Sequence, residues 1–406
     1  MDWVGAMRGT AWRYLLLTAG LTVCGACDGS SSTKPPVERP RVQTVPDDHD
    51  TIQGAVDATQ EGDTVRIRAG TYTGDGNTRI RIQHTTLVVE GAGAGKTIID
   101  CRQAGAQDPG SVFEVRSPGS GSMIKGLSVR NARAGDAEGG GLSCTSGWLR
   151  VEDCAFENCA ASKGGGMYFL NATVELHGVS CQGCVAEAGG GIHVQQSTLY
   201  GDVVRLMDNH AVDGGGLLVN RSVCIVGSTV LAGNVAEQDG GGMSMWEGYV
   251  SIIGGLLAQN VGGSEGGAVS VWGEGSVHLG SVTITDNAAG PDGGGGVRVH
   301  TGGTVAFSKV ILRGNCAGTA GGDLHVDSYA VARFFCCGMD TTQIVIDQGG
   351  SVDRTGAQMF SDPKLCGSVG CGIRGPLSYG LEEDSPCLDL LNPCGLGIGA
   401  LGRCSE

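Results

Sequence analysis

The chain has 406 residues, 74 of them glycine, with 40% hydrophobic and 5% aromatic residues and a formal net charge of -15. So acidic a protein is a poor partner for nucleic acid or an anionic membrane surface, since both demand clustered lysine and arginine. The glycine load comes without proline-rich or charge-block character and with a periodic apolar fraction, which excludes disorder and points to repeated turns.

Residues 1–27 have the form of an export signal. Arg8 and Arg13 precede the apolar run Tyr14–Val23, which is short for a bilayer span, and small Gly25 and Ala26 stand ahead of Cys27. The segment resembles a bacterial lipoprotein signal with Cys27 lipidated. Cys24 is the alternative, because it puts Leu21 three positions upstream. Residues 28–46 then read as a flexible tether stiffened by its prolines. These features place the protein in the bacterial cell envelope or at the cell surface, with the membrane as a partner through the anchor. Seventeen cysteines suit that oxidising setting.

From residue 47 the pattern is that of folded structure. Ile52, Ala55 and Val56 have helical spacing after a cap at Asp50 or Thr51, which predicts a short helix covering the first open sheet edge. Alternating apolar pairs follow at Val65 and Ile67, Leu87 and Val89, and Phe113 and Val115, with Ile98 and the pair Leu127 and Val129. They predict less regular early coils.

Regular repeats occupy residues 131–335. Eight times a glycine-rich run leads into apolar-any-apolar: GGGLSC, GGGMYF, GGGIHV, GGGLLV, GGGMSM, GGAVSV, GGGVRV and GGDLHV. The residues before the apolar pairs are Gly141, Gly166, Gly191, Gly216, Gly242, Ala268, Gly296 and Asp323, so the period is 25 to 28 residues. That period means a solenoid, because one short strand cannot bury its own apolar face but a stack of them can. Two inward rows follow, one from Leu142 to Leu324 and one from Cys144 to Val326. Asn158, Asn209, Asn234, Asn260, Asn287 and Asn315 recur in nearly constant phase and predict a ladder of turn asparagines hydrogen-bonded from coil to coil. Cys159 and Cys184 are 25 residues apart in one phase. A coil spacing of about 4.8 Å falls within the Cα range a disulfide accepts, so a bridge is expected between them. Cys181-x-x-Cys184 could alternatively be redox-active or bind zinc, but no second pair stands at metal spacing.

Residues 346–406 are a cysteine-rich cap. Cys336, Cys337, Cys366, Cys371, Cys387, Cys394 and Cys404 are expected to staple the last coils, where an open edge needs protection. GAGAGKT at Gly91–Thr97 mimics a phosphate loop, but Glu90 stands where the first glycine is required.

This repeat grammar resembles the right-handed parallel β-helix of the pectin-lyase-like superfamily, with glycine and asparagine repeats similar to those of the polymorphic outer-membrane proteins. The stretch Asp47–Gly74 resembles the opening of secreted bacterial β-helix proteins, and FSDPK at Phe360–Lys364, DSPCLD at Asp384–Asp389 and IGAL at Ile398–Leu401 resemble their endings. The resemblance implies an all-β solenoid with a β-helix over 47–345, and right-handed crossovers are what parallel strands prefer. It also implies paired carboxylates with calcium, or Asp pairs with His and Arg, wherever such proteins are lyases or glycosidases. None of the Asn-Thr-Asp, Asp-Asp, Gly-His-Gly or Arg-Ile-Lys runs of those enzymes occurs within the repeats at residues 131–335.

Function is therefore sought on the outward rows. One holds Tyr168, His193, Leu218, Ser244, Ser270, Arg298 and His325; the next holds Leu170, Gln195, Asn220, Trp246, Trp272, His300 and Asp327. Tyr168, His193, Trp246 and Trp272 are the candidate ligand-binding residues, and Arg298, His300, His325 and Asp327 the candidate catalytic ones. Asp213, Asp239, Glu265 and Asp292 precede the glycine blocks as an acidic ladder, and calcium is the ion such a ladder would take. No cofactor is otherwise required. The expectation is a non-catalytic surface protein for adhesion to a host or neighbouring cell or for binding polysaccharide. The alternatives are a divergent polysaccharide lyase or glycoside hydrolase, and a purely structural envelope protein.

Overall fold

The computed structural model describes residues 39–103, 110–318 and 321–354, and short pieces between Met359 and Leu388. The export signal with Cys24 and Cys27, most of the tether, Cys394, Cys404 and the IGAL stretch lie outside the described residues. The fold is an all-β, right-handed parallel β-helix of about 11 turns. Among the described residues, no helix is long and apolar enough to cross a membrane.

The stack begins earlier than the sequence suggests. Val42–Val45, within the stretch read as tether, is a strand paired in parallel with Thr64–Ile67. Helix α1 (Ile52–Asp57) follows, its N-cap Thr51 accepting from the Gly54 amide at 3.1 Å, and it buries Ile52, Ala55 and Val56. The capped edge is thus closed by the three residues whose spacing announced the helix. Strands also continue past residue 345, at Ser351–Asp353.

Each regular coil has a strand a after the glycine block, then strands b and c, then a two-residue strand before the next block. In one coil these are Ile192–Gln195, the bent run Thr198–Met207 and His210–Ala211. The register is the one the repeats predict: Met167 pairs Ile192, Ile192 pairs Leu217, Leu217 pairs Met243 and Met243 pairs Val269. Both inward rows are buried along their whole length. Each such aliphatic side chain contributes about 1.5–3 kcal/mol on burial.

Corners between strands carry left-handed residues. The first glycine of each block does so, for example Gly189 at φ 66°. A side chain on the next glycine, Gly190, would sit 2.4 Å from the carbonyl of Gly215 on the following coil. Both positions therefore exclude other residues, which is why the blocks recur.

The asparagine ladder exists but starts later than expected. Asn209, Asn234, Asn260 and Asn287 are buried, and each donates from its amide and its carboxamide to the Oδ1 of the next rung at 2.8–3.1 Å, ending at Asn315. Asn158 is off this column. It has φ 54° and belongs to the left-handed corner with Gly183, Asp208, Gly233, Gln259 and Asp286. The rungs upstream of Asn209 are Cys184 and Cys159, and the Cys184 amide donates to Asn209 Oδ1 at 3.0 Å.

The expected Cys159–Cys184 bridge is corrected by the structure, which holds both as buried thiols. The physical reason is the rung they occupy. Each Sγ points at a carbonyl of the preceding coil, Cys159 to Val129 and Cys184 to Phe156, as the Asn209 carboxamide points at Cys181. The disulfide that is described joins Cys316 to Cys371 and ties the tail to the corner after Asn315. From there Arg374 reaches the Asp208 carboxylate at 3.0 Å and the Gly233 carbonyl at 2.8 Å, and Tyr379 lies between Gln259 and Asp286.

Candidate functional site

The two outward rows differ in exposure. Tyr168, His193, Leu218, Ser244 and Ser270 face away from the core and are nonetheless buried. The glycine corner folds directly against them, so that a side chain on Gly189 would lie 2.9 Å from His193 Cβ. Tyr168 and His193 meet edge to face at 5.4 Å, and the Tyr168 hydroxyl donates to Gln195 at 3.0 Å. His193 is buried with neither ring nitrogen hydrogen-bonded, and burial pushes its pKa down to about 4. This pair lies four or more coils, about 19 Å, from Arg298. It is packed side chain and lines no groove with the remaining candidates.

The second row is the exposed one. Trp246 and Trp272 stack with centroids 5.0 Å apart and planes 9° apart, and His300 stacks on Trp272 at 3.5 Å. Parallel register forces this, because Trp246 pairs with Trp272 directly. Trp246 closes the series, 43% exposed, with Asn220 on its other side. Beside the rings runs a groove of about 380 Å³ lined by Trp246, Glu247, Trp272, Gly273, His300, Thr301 and Asp327. Glu247, Gly273 and Thr301 are corner residues that the row assignment did not include. Each directly follows a ring-bearing residue, and that adjacency was the available signal.

Behind the rings four charges form a nearly buried quartet. His300 Nε2 lies 2.7 Å from Glu265 Oε1, and its Nδ1 lies 3.2 Å from Asp327 Oδ2. Arg298 spans the same two acids, at 3.3 Å from Glu265 and 2.7 Å from Asp327. Burial pulls the His300 pKa down, but hydrogen bonds to Asp327 and Glu265 outweigh it and the net direction is up. Burial pushes Asp327 up, but the His300 hydrogen bond and the Arg298 charge win and hold it low. Two acids thus face two cations, and the balance of charge is what permits their burial.

The arrangement brings together all four catalytic candidates with Glu265 of the acidic ladder. Arg298 also contacts His325 Nδ1 and donates to the Asp292 carbonyl at 2.6 Å, while His325 Nε2 lies 3.2 Å from Asp347. Ser270 Oγ sits 3.3 Å from His300 Nε2, a contact with the outline of a serine–histidine–aspartate triad. It lacks the chemistry of one. Ser270 is fully buried, and Glu265 holds the nitrogen that would have to accept its proton.

The calcium ladder is corrected in two respects. Asp239 pairs with Glu265, but Glu265 pairs with Gly293, so Asp292 is one residue out of register and exposed. Glu265 is moreover already held by two cations, which oppose a third. Among the described residues, the group with metal-ligand spacing is His325, Asp327 and Asp347. Arg298 lies against both His325 and Asp327, and the donor atoms are already engaged, so this group does not suit a cation either. Asp239 is left beside Glu265 and Asp213 with no cation of its own. Burial first, and then those two neighbouring charges, push its pKa up to about 7.

No family model matches the chain, and no curated protein matches it. Among solved structures it is similar to the catalytic domain of a GH87 alpha-1,3-glucanase in complex with nigerose, with a TM-score of 0.32 and 13% identity over 79% of this chain and 69% of that one. It is also similar to the A-module of the Azotobacter vinelandii mannuronan C-5 epimerase AlgE4, with a TM-score of 0.35 and 13% identity over 80% of this chain and 95% of that one. The AlgE6 A-module gives 0.29 and 16% over 77% and 94%. These are distant likenesses, and nothing about the chemistry of this chain rests on them.

Proposed function

We propose that the protein is an exported, envelope-anchored β-helix that binds a polysaccharide through the face carrying Trp246, Trp272 and His300. The observation that carries this reading is the ring stack set beside an open groove on a rigid ladder. Aromatic surface with polar groups at its edge suits a sugar ring, whose faces are apolar and whose rim is hydroxyl. Export is supported by the leader sequence and by the Cys316–Cys371 bridge, since disulfides persist in oxidising compartments. The membrane acts as a partner through the lipid anchor at Cys27, with Cys24 as the alternative. Screening the mature chain against a glycan array tests the reading. Retention of at least one glycan, lost in Trp246→Ala, is expected; no retention on any glycan would overturn it.

A second reading, of acid–base chemistry on the bound glycan, is favoured by one observation. Burial and the neighbouring carboxylates push the Asp239 pKa up to about 7, the range in which a carboxyl group can act as a general acid. Release of reducing or unsaturated sugar ends, abolished in Asp239→Asn, is the outcome that would support it.

A further inference from the structure

The polysaccharide reading leaves the class of sugar open, and the charges around the groove narrow it. Residues 209–350 carry 12 Asp and Glu against five Lys and Arg. Three of the five, Lys309, Arg313 and Arg333, belong to the b and c strands and their corner, away from the rings. The two cations at the groove are both committed to carboxylates: Arg221 to Glu247 at 3.0 Å, and Arg298 to Glu265 and Asp327. His300 is likewise held between Glu265 and Asp327. No uncommitted cation faces the groove among the described residues.

A polymer of uronic acids would need such a cation at each bound carboxylate, and would enter a field of surplus negative charge from Asp213, Glu274 and Asp292. An ammonium group meets the opposite conditions. It finds the half-exposed indole of Trp246, whose ring quadrupole attracts a cation. Within the same groove it finds the carboxylate of Glu247. The Arg221–Glu247 pair is well exposed and contributes little to stability, so Glu247 can be given up to an incoming amine.

We propose, resting on the reading of this face as a glycan site, that its ligand is an amine-bearing polysaccharide, a polymer of glucosamine-type sugars, and not a uronate polymer. Calorimetry on the full chain with three hexamers tests it: glucosamine, N-acetylglucosamine and galacturonate, at about pH 5.5 where the amine is charged. The glucosamine hexamer is expected to bind about tenfold more tightly than its N-acetylated counterpart, a ratio that a cation–π contact with a carboxylate partner supplies. Glu247→Gln is expected to narrow that ratio. In Trp246→Ala, which keeps the net charge, glucosamine binding is expected to fall by about tenfold or more. Equal binding by Trp246→Ala would reduce the effect to general attraction of a polycation and overturn the proposal. Galacturonate binding as tight as glucosamine would overturn the amine class alone and leave a glycan site standing. Failure of all three hexamers, together with an empty glycan array, would overturn the glycan reading itself.

Discussion

Asp323 terminates the asparagine ladder by accepting, on Oδ1, both the backbone amide of Asn315 at 3.1 Å and its carboxamide at 2.8 Å. Its Oδ2 is buried with no hydrogen-bond partner. A carboxyl group stands here where every rung from Asn209 to Asn315 is an amide. Burial pushes its pKa up to about 7, against hydrogen bonds from Asn315 that pull it down.

The direction of the resulting pH dependence follows. A carboxyl whose folded pKa lies above its unfolded value binds its proton more tightly in the folded state. Its stabilising effect is complete below the unfolded value near 4 and is lost as pH rises to about 7. Asp323→Asn is expected to remove that loss, adding up to a few kcal/mol above pH 7 and flattening the slope between pH 4 and 7. Thermal unfolding of both proteins at the two ends of the window measures it. A variant no more stable than the parent at the alkaline end would contradict the assignment.

Val203 has φ 56° at the corner between the b and c strands, in the column where the neighbouring coils place Gly178 and Ser228 and the next places Gly254. A β-branched residue pays for left-handed backbone with a clash that glycine avoids. Val203→Gly is expected to stabilise the protein by about 1 kcal/mol, read as a rise in the unfolding midpoint. A drop in the midpoint would mean that the lost side-chain packing outweighs the strain.

Arg298 holds two nearly buried carboxylates. Arg298→Ala leaves Glu265 and Asp327 short of a partner and is expected to cost about 3–5 kcal/mol. Adding Asp327→Ala to that variant is expected to recover part of the loss, so that the double substitution costs less than the sum of the singles. Strict additivity in denaturant unfolding would show that the charges are not coupled.

Reducing Cys316–Cys371, or replacing Cys371 by Ser, is expected to cost about 2–4 kcal/mol and to free the contacts of Arg374 and Tyr379 with the corner column. Limited proteolysis with mass spectrometry tests this. Cleavage between residues 364 and 388 should appear in the reduced chain before any cut among the repeats, and identical cleavage patterns would show that the bridge carries no such load.

Trp272 fluorescence offers a direct reading of the ring stack. His300, whose pKa is raised by its hydrogen bonds to Asp327 and Glu265 against the effect of burial, stacks on Trp272, and an imidazolium in contact with an indole quenches its emission. Raising the pH through the elevated His300 pKa is expected to increase tryptophan fluorescence, and His300→Gln is expected to abolish that step. A step that persists in His300→Gln would assign the titration to another group.

The solenoid was legible because its causes are local and repeated. The period places Met167 on Ile192, the same arithmetic places Trp246 on Trp272, and both pairings follow from parallel strands in register. Corners were less legible. Asn158 and Asn209 look alike in sequence, yet they stand 51 residues apart where two coils span 50, so Asn158 takes the left-handed corner of Asp208 and Cys159 the buried rung of Asn209.

What the sequence by itself determined was the coil period, the inward rows, the capping helix and the ring column, since each depends on spacing along one chain under a fixed backbone repeat. What only the tertiary structure decided was which outward side chains are open and which charges meet. Tyr168 and Trp246 both face outward, but the glycine corner buries the first and leaves the second in a groove. Glu265 and Asp292 both precede glycines, but a one-residue difference in register sends the first to Arg298 and His300 and the second to solvent. Exposure and ion pairing depend on the neighbours that corners bring near in space, and such distances are not written in the period.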